Sequence, residues 1–251
     1  MLYGLFFKTR LMHLKGLLLS AILILGCFFA TGQIFSRFQA DFSIKEIGFD
    51  GKQNLMTGSL YYNKVERTIY YDFEFPEESV MIVADTCTYR PKEKVITPHK
   101  MEVSMIDFSI YNLFLNQDLD FYGLNETPYE LTEVEENTDM VISTWELPGK
   151  QVKEVGKILL SQKKGRLYGL VSLDKEGNVI SKQFFLDYDY IENLPFPTRV
   201  VQISYLGGQE SKKITTYRNV IINSNDHKEK YNYTPDFIPV SSSPALVPVG
   251  K

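Results

Sequence analysis

From Phe38 to Ile222 the sequence keeps returning to one pattern: a short run in which apolar and polar residues alternate, a turn signal, then another run. The segment Thr68-Ile69-Tyr70-Tyr71-Asp72-Phe73-Glu74-Phe75 is its clearest instance. Successive strand side chains point to opposite faces. Ile69, Tyr71, Phe73 and Phe75 therefore share one face, and Thr68, Tyr70, Asp72 and Glu74 share the other. The neighbouring run adds Met56, Leu60 and Tyr62 beside Gly58. A chain patterned in this way is expected to form an antiparallel sheet with one apolar, aromatic face to be covered and one face toward water. The 16 Tyr and 17 Phe point the same way, because aromatic residues favour strands.

Strands are expected at 38–47, 54–63, 67–75, 79–89, 93–97, 128–135, 139–147, 156–163, 166–174, 178–189, 197–206 and 212–222. The clearest turns are Phe49-Asp50-Gly51-Lys52, Lys163-Lys164-Gly165, Lys175-Glu176-Gly177-Asn178 and Leu206-Gly207-Gly208-Gln209. Each supplies Gly or Asp where a hairpin needs unusual backbone angles. One segment breaks the rhythm. Met101 to Asn116 places Val103, Ile106, Ile110 and Leu113, with Met105, Phe108 and Leu115, at helical spacing. That helix must lay its wide apolar face on the sheet or across its opening. Pro148 to Gly156 reads as a weaker helical turn or a loop. A long single sheet with so little helix to cover it curls around its own apolar face. The hollow so formed suits apolar ligands, or its residues simply fill a core.

The first 32 residues have the layout of an export signal. Lys8, Arg10 and Lys15 precede an apolar run from Leu17 through Ala30, and Ala30-Thr31-Gly32 offers a cut before Gln33. A retained anchor is the alternative. Cys27, after Ile24-Leu25-Gly26, loosely matches a lipidation site. The chain is expected to comprise a leader at 1–32, one domain at 33–237 and an extended tail at 238–251.

Other chemistry is thin. The chain has 251 residues, 44% hydrophobic and 23% charged, with a net charge of −4, which argues against a protein that grips nucleic acid. Two cysteines build neither a disulfide framework nor a four-thiolate metal site. The histidines His13, His99 and His227 are scattered, and Asp85, Cys87 and His99 form no recognised nucleophile set, with a Cys87–His99 pair as the remaining option. No cofactor, metal or catalytic residue is expected. Glu133, Glu135 and Glu136 read as a solvated strand edge, and Trp145 as a core or rim residue.

Several runs taken in order resemble the outer-membrane lipoprotein carrier family, LolA-like proteins that share a fold with LolB. The first is Gly58-Ser59-Leu60-Tyr61-Tyr62. It is followed by Arg67 through Pro76, Val80 to Asp85, and Tyr89-Arg90-Pro91. Toward the end come Gly177-Asn178, Phe184-Phe185, Asp187-Tyr188, Leu194-Pro195-Phe196-Pro197-Thr198 and Val220-Ile221-Ile222-Asn223. The likeness spans about residues 38–237. It implies a mainly β fold: an incomplete barrel of about eleven antiparallel strands in a single curled sheet, with a small helical lid over an apolar cavity. It also implies a non-enzymatic periplasmic carrier that takes up lipoprotein acyl chains or other lipids, loading at an inner-membrane transporter and unloading at an outer-membrane acceptor. The alternative is an envelope sensor or regulatory binding domain of the same fold. The expected lipid-binding residues are Leu60, Tyr62, Ile69, Tyr71, Phe73 and Phe75 from the sheet. Ile106, Ile110, Leu113 and Phe114 are expected from the lid. Three departures stand out: hardly a turn, from Gln33 to Gln39, precedes the first strand, and Asp85-Thr86, followed by Cys87, stands where the family has an Asp-Gly turn. Lys64-Val65 occupies the place of the family's Arg-Pro pair, whose Arg helps latch the lid. Lysine lacks the planar fork that makes such a latch.

Overall fold

The computed structural model describes residues 35–85, 87–99, 106–149 and 156–233. The leader, Cys27 and the tail at 238–251 lie outside the described residues. Among the described residues the chain forms thirteen strands: β1 (Arg37–Ile47), β2 (Gln53–Asn63), β3 (Thr68–Phe75), β4 (Ser79–Ala84), β5 (Cys87–Arg90), β6 (Val95–Pro98), β7 (Glu130–Glu136), β8 (Met140–Glu146), β9 (Ile158–Lys163), β10 (Arg166–Leu173), β11 (Val179–Ile191), β12 (Leu194–Leu206) and β13 (Gln209–Ile222). Two short helices, α1 (Ile110–Asn116) and α2 (Lys228–Tyr231), complete the set together with a 3₁₀ turn at Leu124–Glu126.

All thirteen strands belong to one antiparallel sheet in the order β6-β5-β4-β3-β2-β1-β13-β12-β11-β10-β9-β8-β7. Two meanders, β1–β6 and β7–β13, are thus zipped together by the pairing of β1 with β13. The sheet does not close, since β6 and β7 are its two edges. Tight turns fix the register. Gly207 and Gly208 both have positive φ between Leu206 and Gln209, as the two-residue hairpin turn that follows strand twist requires. Lys164-Gly165 and Glu192-Asn193 do the same between β9 and β10 and between β11 and β12.

Three expectations are corrected. The run at 79–89 is two strands, broken at Asp85, which makes thirteen strands among the described residues where the alternation pattern gives twelve. The strands expected at 178–189 and 197–206 reach further toward each other, because Tyr190 pairs with Pro195 and Tyr188 with Pro197. Proline is tolerated there because β12 pairs with β13 only from Arg199 on, so its other side carries no ladder. The expected helix at 101–116 is shorter. Residues 101–105 lie outside the described residues, Ile106 to Ser109 form a turn, and α1 begins after Ser109. The Ser109 side chain accepts from the Asn112 N–H, and α1 ends at Gln117 in the left-handed conformation.

Six of the seven residues of α1 are buried, from Ile110 to Leu115. The helix is a plug in the concave face rather than a roof with one apolar stripe. Phe114 packs on Phe38 and Phe196 at 5.9 and 4.9 Å between ring centroids, and Tyr111 packs on Phe38 and Tyr217 at 5.1 and 5.8 Å. Full burial of one such ring is worth about 1.5–3 kcal/mol. The opposite face of β2 and β3, expected to meet water, is partly covered by α2. Tyr231 is buried against Tyr61, and Lys230 Nζ bonds Asp72 at 2.7 Å.

Candidate functional site

Beside the plug, the concave face holds a hollow of about 850 Å³. It is wide enough for a small ligand's bulk, within the usual range of about 300–1,000 Å³ for binding cavities. Strands β1 to β4 supply its apolar wall: Phe42 and Ile44, Met56, then Ile69, Tyr71 and Phe73, then Met81 and Val83. These positions follow strict alternation within each strand, so one period-two pattern across four adjacent strands makes one greasy surface. Phe42 meets Tyr71 and Phe73 edge to face at 5.6 and 5.4 Å. Gly58 lies between Phe42 and Phe73 in the register and lets the β3 backbone approach β2 closely. A Cβ there would stand 2.0 Å from the Asp72 carbonyl oxygen. Strands β11 to β13 supply the facing wall, with Gln183, Val200, Gln202, Lys213, Thr215 and Tyr217. The hollow opens to solvent at its rim, where Pro76, Glu77, Thr97 and Lys213 are exposed.

At its inner end three tyrosines meet. Tyr111 and Tyr217 hydroxyls lie 3.1 Å apart, and Tyr71 and Tyr111 hydroxyls 3.5 Å apart. Burial pushes all three phenols above their ordinary value. Tyr122, also on the wall, is pushed up to about 12 by burial, and its hydroxyl donates to Gln183 Oε1 at 3.3 Å. The set therefore stays neutral at physiological pH and gives the apolar chamber a few hydrogen-bonding groups.

Of the ten expected lipid-binding residues, Ile69, Tyr71, Phe73 and Ile110 line the hollow. Leu60, Tyr62, Ile106, Leu113 and Phe114 sit in the packed core, each 3% exposed or less. Tyr62 there donates to Asn112 Oδ1 at 2.8 Å, tying β2 to α1. Phe75 is 49% exposed and outside the lining. Phe42, Ile44, Met81, Val83, Tyr111 and Tyr217 line it without having been expected. The signal for Phe42, Ile44, Met81 and Val83 lay in the alternation of β1 and β4, but only the long-range pairing of β1 with β13, which also brings in Tyr217, shows which face is concave.

Near the hollow, one arginine ties three turns together. Arg67, three residues beyond Lys64, donates from Nε and Nη2 to the Asp85 carboxylate and from Nη2 to Asp107 Oδ1 at 2.8 Å. One guanidinium thus joins the β2–β3 turn, the β4–β5 turn and the turn that leads into α1. His99 is held by its own neighbours: the Asp85 carbonyl can only accept, so Nδ1–H donates to it at 3.1 Å, and Nε2 accepts from the Thr88 hydroxyl at 2.9 Å.

No family model matches this sequence, and no curated protein matches it by sequence. Solved structures do match. A LolA superfamily protein of Nitrosomonas europaea aligns with a TM-score of 0.53 at 14% identity, covering 78% of this chain and 90% of that one. A candidate outer membrane lipoprotein-sorting protein domain of Vibrio parahaemolyticus aligns with a TM-score of 0.56 at 13% identity, over 78% and 89%. The chain has the LolA-type fold. A DUF1329 family protein of Desulfovibrio piger shares it too, with a TM-score of 0.54 at 14% identity over 79% and 90%. The hollow lies on the concave face of that curled sheet, beside α1. Neighbours at 13–14% identity establish the architecture.

Proposed function

We propose that this chain is a periplasmic carrier that shelters acyl chains of lipoproteins or lipids in the hollow and moves them toward the outer membrane. The observation that carries the proposal is the preformed hollow of about 850 Å³ walled by Phe42, Ile44, Met56, Tyr71 and Phe73 on a LolA-type sheet. Each methylene withdrawn from water is worth about 0.8 kcal/mol, so an acylated protein does not cross an aqueous space without such a surface. A carrier must also surrender its cargo. Here the hollow is open at its rim, so a chain can enter without unpacking α1 from the core. No step of this cycle needs a catalytic group. An inner-membrane donor and an outer-membrane acceptor are the partners this role requires.

The test is organic extraction and mass spectrometry of the exported protein, paired with Phe73→Glu. The wild type is expected to yield bound acyl species and to take up a fluorescent acyl probe. The folded variant is expected to do neither. Deleting the gene should leave lipoproteins in the inner membrane. A ligand-free protein that ignores the probe, and whose loss leaves sorting intact, would instead fit a sensor or regulatory domain.

A further inference from the structure

The strand register puts the hollow's polar residues in a line. Glu46 on β1 pairs with Lys213 on β13, Lys213 pairs with Gln202 on β12, and Gln202 pairs with Gln183 on β11. All four line the hollow. One step inward along the same strands, Ile44 pairs with Thr215 and Thr215 with Val200; one step further, Phe42 pairs with Tyr217. The concave wall therefore grades from a polar row at the rim to an aromatic floor. A pure hydrocarbon has no use for the outer row, whereas an amphiphile whose head stays at the rim satisfies both ends.

The charges in the row select among heads. Directly opposite residues on adjacent strands have Cβ atoms about 4.5–5.5 Å apart. Glu46 and Lys213 are such neighbours, yet neither forms an ion pair with another described residue. The hollow's charged lining among the described residues is balanced: Glu46 and Glu77 against Arg90 and Lys213. An anionic head that meets Lys213 also meets Glu46, and a cationic head that meets Glu46 also meets Lys213. A head carrying both charges, phosphate toward Lys213 and ammonium toward Glu46, pairs with each and is repelled by neither. The Gln202 amide extends the row with a neutral donor and acceptor, and Gln183, whose Oε1 accepts from Tyr122, adds its amide N–H donors. Resting on the acyl-binding reading above, we infer that the site is selective for amphiphiles with a zwitterionic head, held by the Glu46–Lys213–Gln202 row, over singly charged ones of the same chain length.

The experiment uses the full mature chain and a fluorescent fatty-acyl probe. The probe is displaced by palmitoyl lysophosphatidylethanolamine, palmitate or hexadecyltrimethylammonium, each below its micelle concentration. The zwitterion is expected to displace the probe at about fivefold lower concentration than either singly charged competitor, the scale of solvent-accessible ion pairs at the rim. Lys213→Glu should erase that margin and favour the cationic competitor. Lys213→Gln should also erase it, and serves if charge reversal disturbs the sheet. The exchange Glu46→Lys with Lys213→Glu should restore it. Equal displacement by all three competitors, or a margin indifferent to Lys213, overturns the selectivity and leaves acyl binding standing. A probe that never binds overturns both.

Discussion

Single residues decide whether the hollow exists. Gly58 is the strictest of them, because any side chain would collide with the β3 backbone at the Asp72 carbonyl. Gly58→Ala is expected to destabilise the fold by about 1–3 kcal/mol through overpacking. Urea unfolding should show a lower midpoint with an unchanged slope; an unchanged midpoint would mean that β2 and β3 separate there freely. Arg67 acts differently. Its ion pairs are partly exposed, its side chain being 40% accessible, so they contribute about 1 kcal/mol or less each. Its consequence is positional, since it fastens the turn before α1 to two turns of the sheet. Arg67→Ala is expected to leave the unfolding midpoint nearly unchanged while speeding release of a bound acyl probe in stopped flow. Release at the wild-type rate would show that this turn takes no part in exchange. The buried tyrosines make a pH statement with a definite sign. Their folded ionisation is raised above the ordinary value of 10.0, so the folded state keeps protons that the unfolded state gives up. Stability should be flat with respect to this group below about pH 10 and fall as pH rises beyond it. Tyr111→Phe should shallow that fall.

At the scale of elements, α1 and α2 close opposite faces of the sheet by different means. The plug α1 is held by rings, and its Asn112 is satisfied on both sides, accepting from Tyr62 and donating to the Asp107 carbonyl at 3.2 Å. Its helical spacing was legible from the sequence, but its length was not. Six buried residues in seven give no polar face to mark where it starts, and the start is set by Ser109 rather than by the apolar period. The cover that α2 lays on the convex face was not legible at all. Tyr61 and Tyr70 alternate as solvent-facing residues should, and only Tyr231 and Tyr233, more than 150 positions away, show why they are aromatic. Tyr231 is 1% exposed although it lies outside the concave core. Tyr231→Ala is expected to cost about 3–5 kcal/mol, as for other buried aromatics, measured by the same urea titration. A cost near zero would mean that α2 only rests on the surface.

At the scale of the whole molecule, the sheet is a curled strip with two managed edges. The edge β7 is exposed along its whole length and carries Glu130, Glu133, Glu135 and Glu136, and β6 ends in Pro98. Charge and proline both discourage pairing with another chain. Strand alternation made the sheet readable because each strand repeats the same local rule. The hollow was only half readable because it depends on which strands meet. Ile69, Tyr71 and Phe73 lie on the face that the pattern indicated, yet Leu60 and Tyr62 on the same face are sealed beneath α1. Period-two logic assigns a face; it does not say how far along that face the plug reaches. The most direct test uses methyl-labelled methionine and a spin-labelled fatty acid. Met56 and Met81 line the hollow from β2 and β4, and Met140 stands on β8, outside its lining. Adding the spin label is expected to broaden the Met56 and Met81 methyl signals and spare Met140. Unchanged Met56 and Met81 signals at saturating label would contradict acyl binding in the hollow.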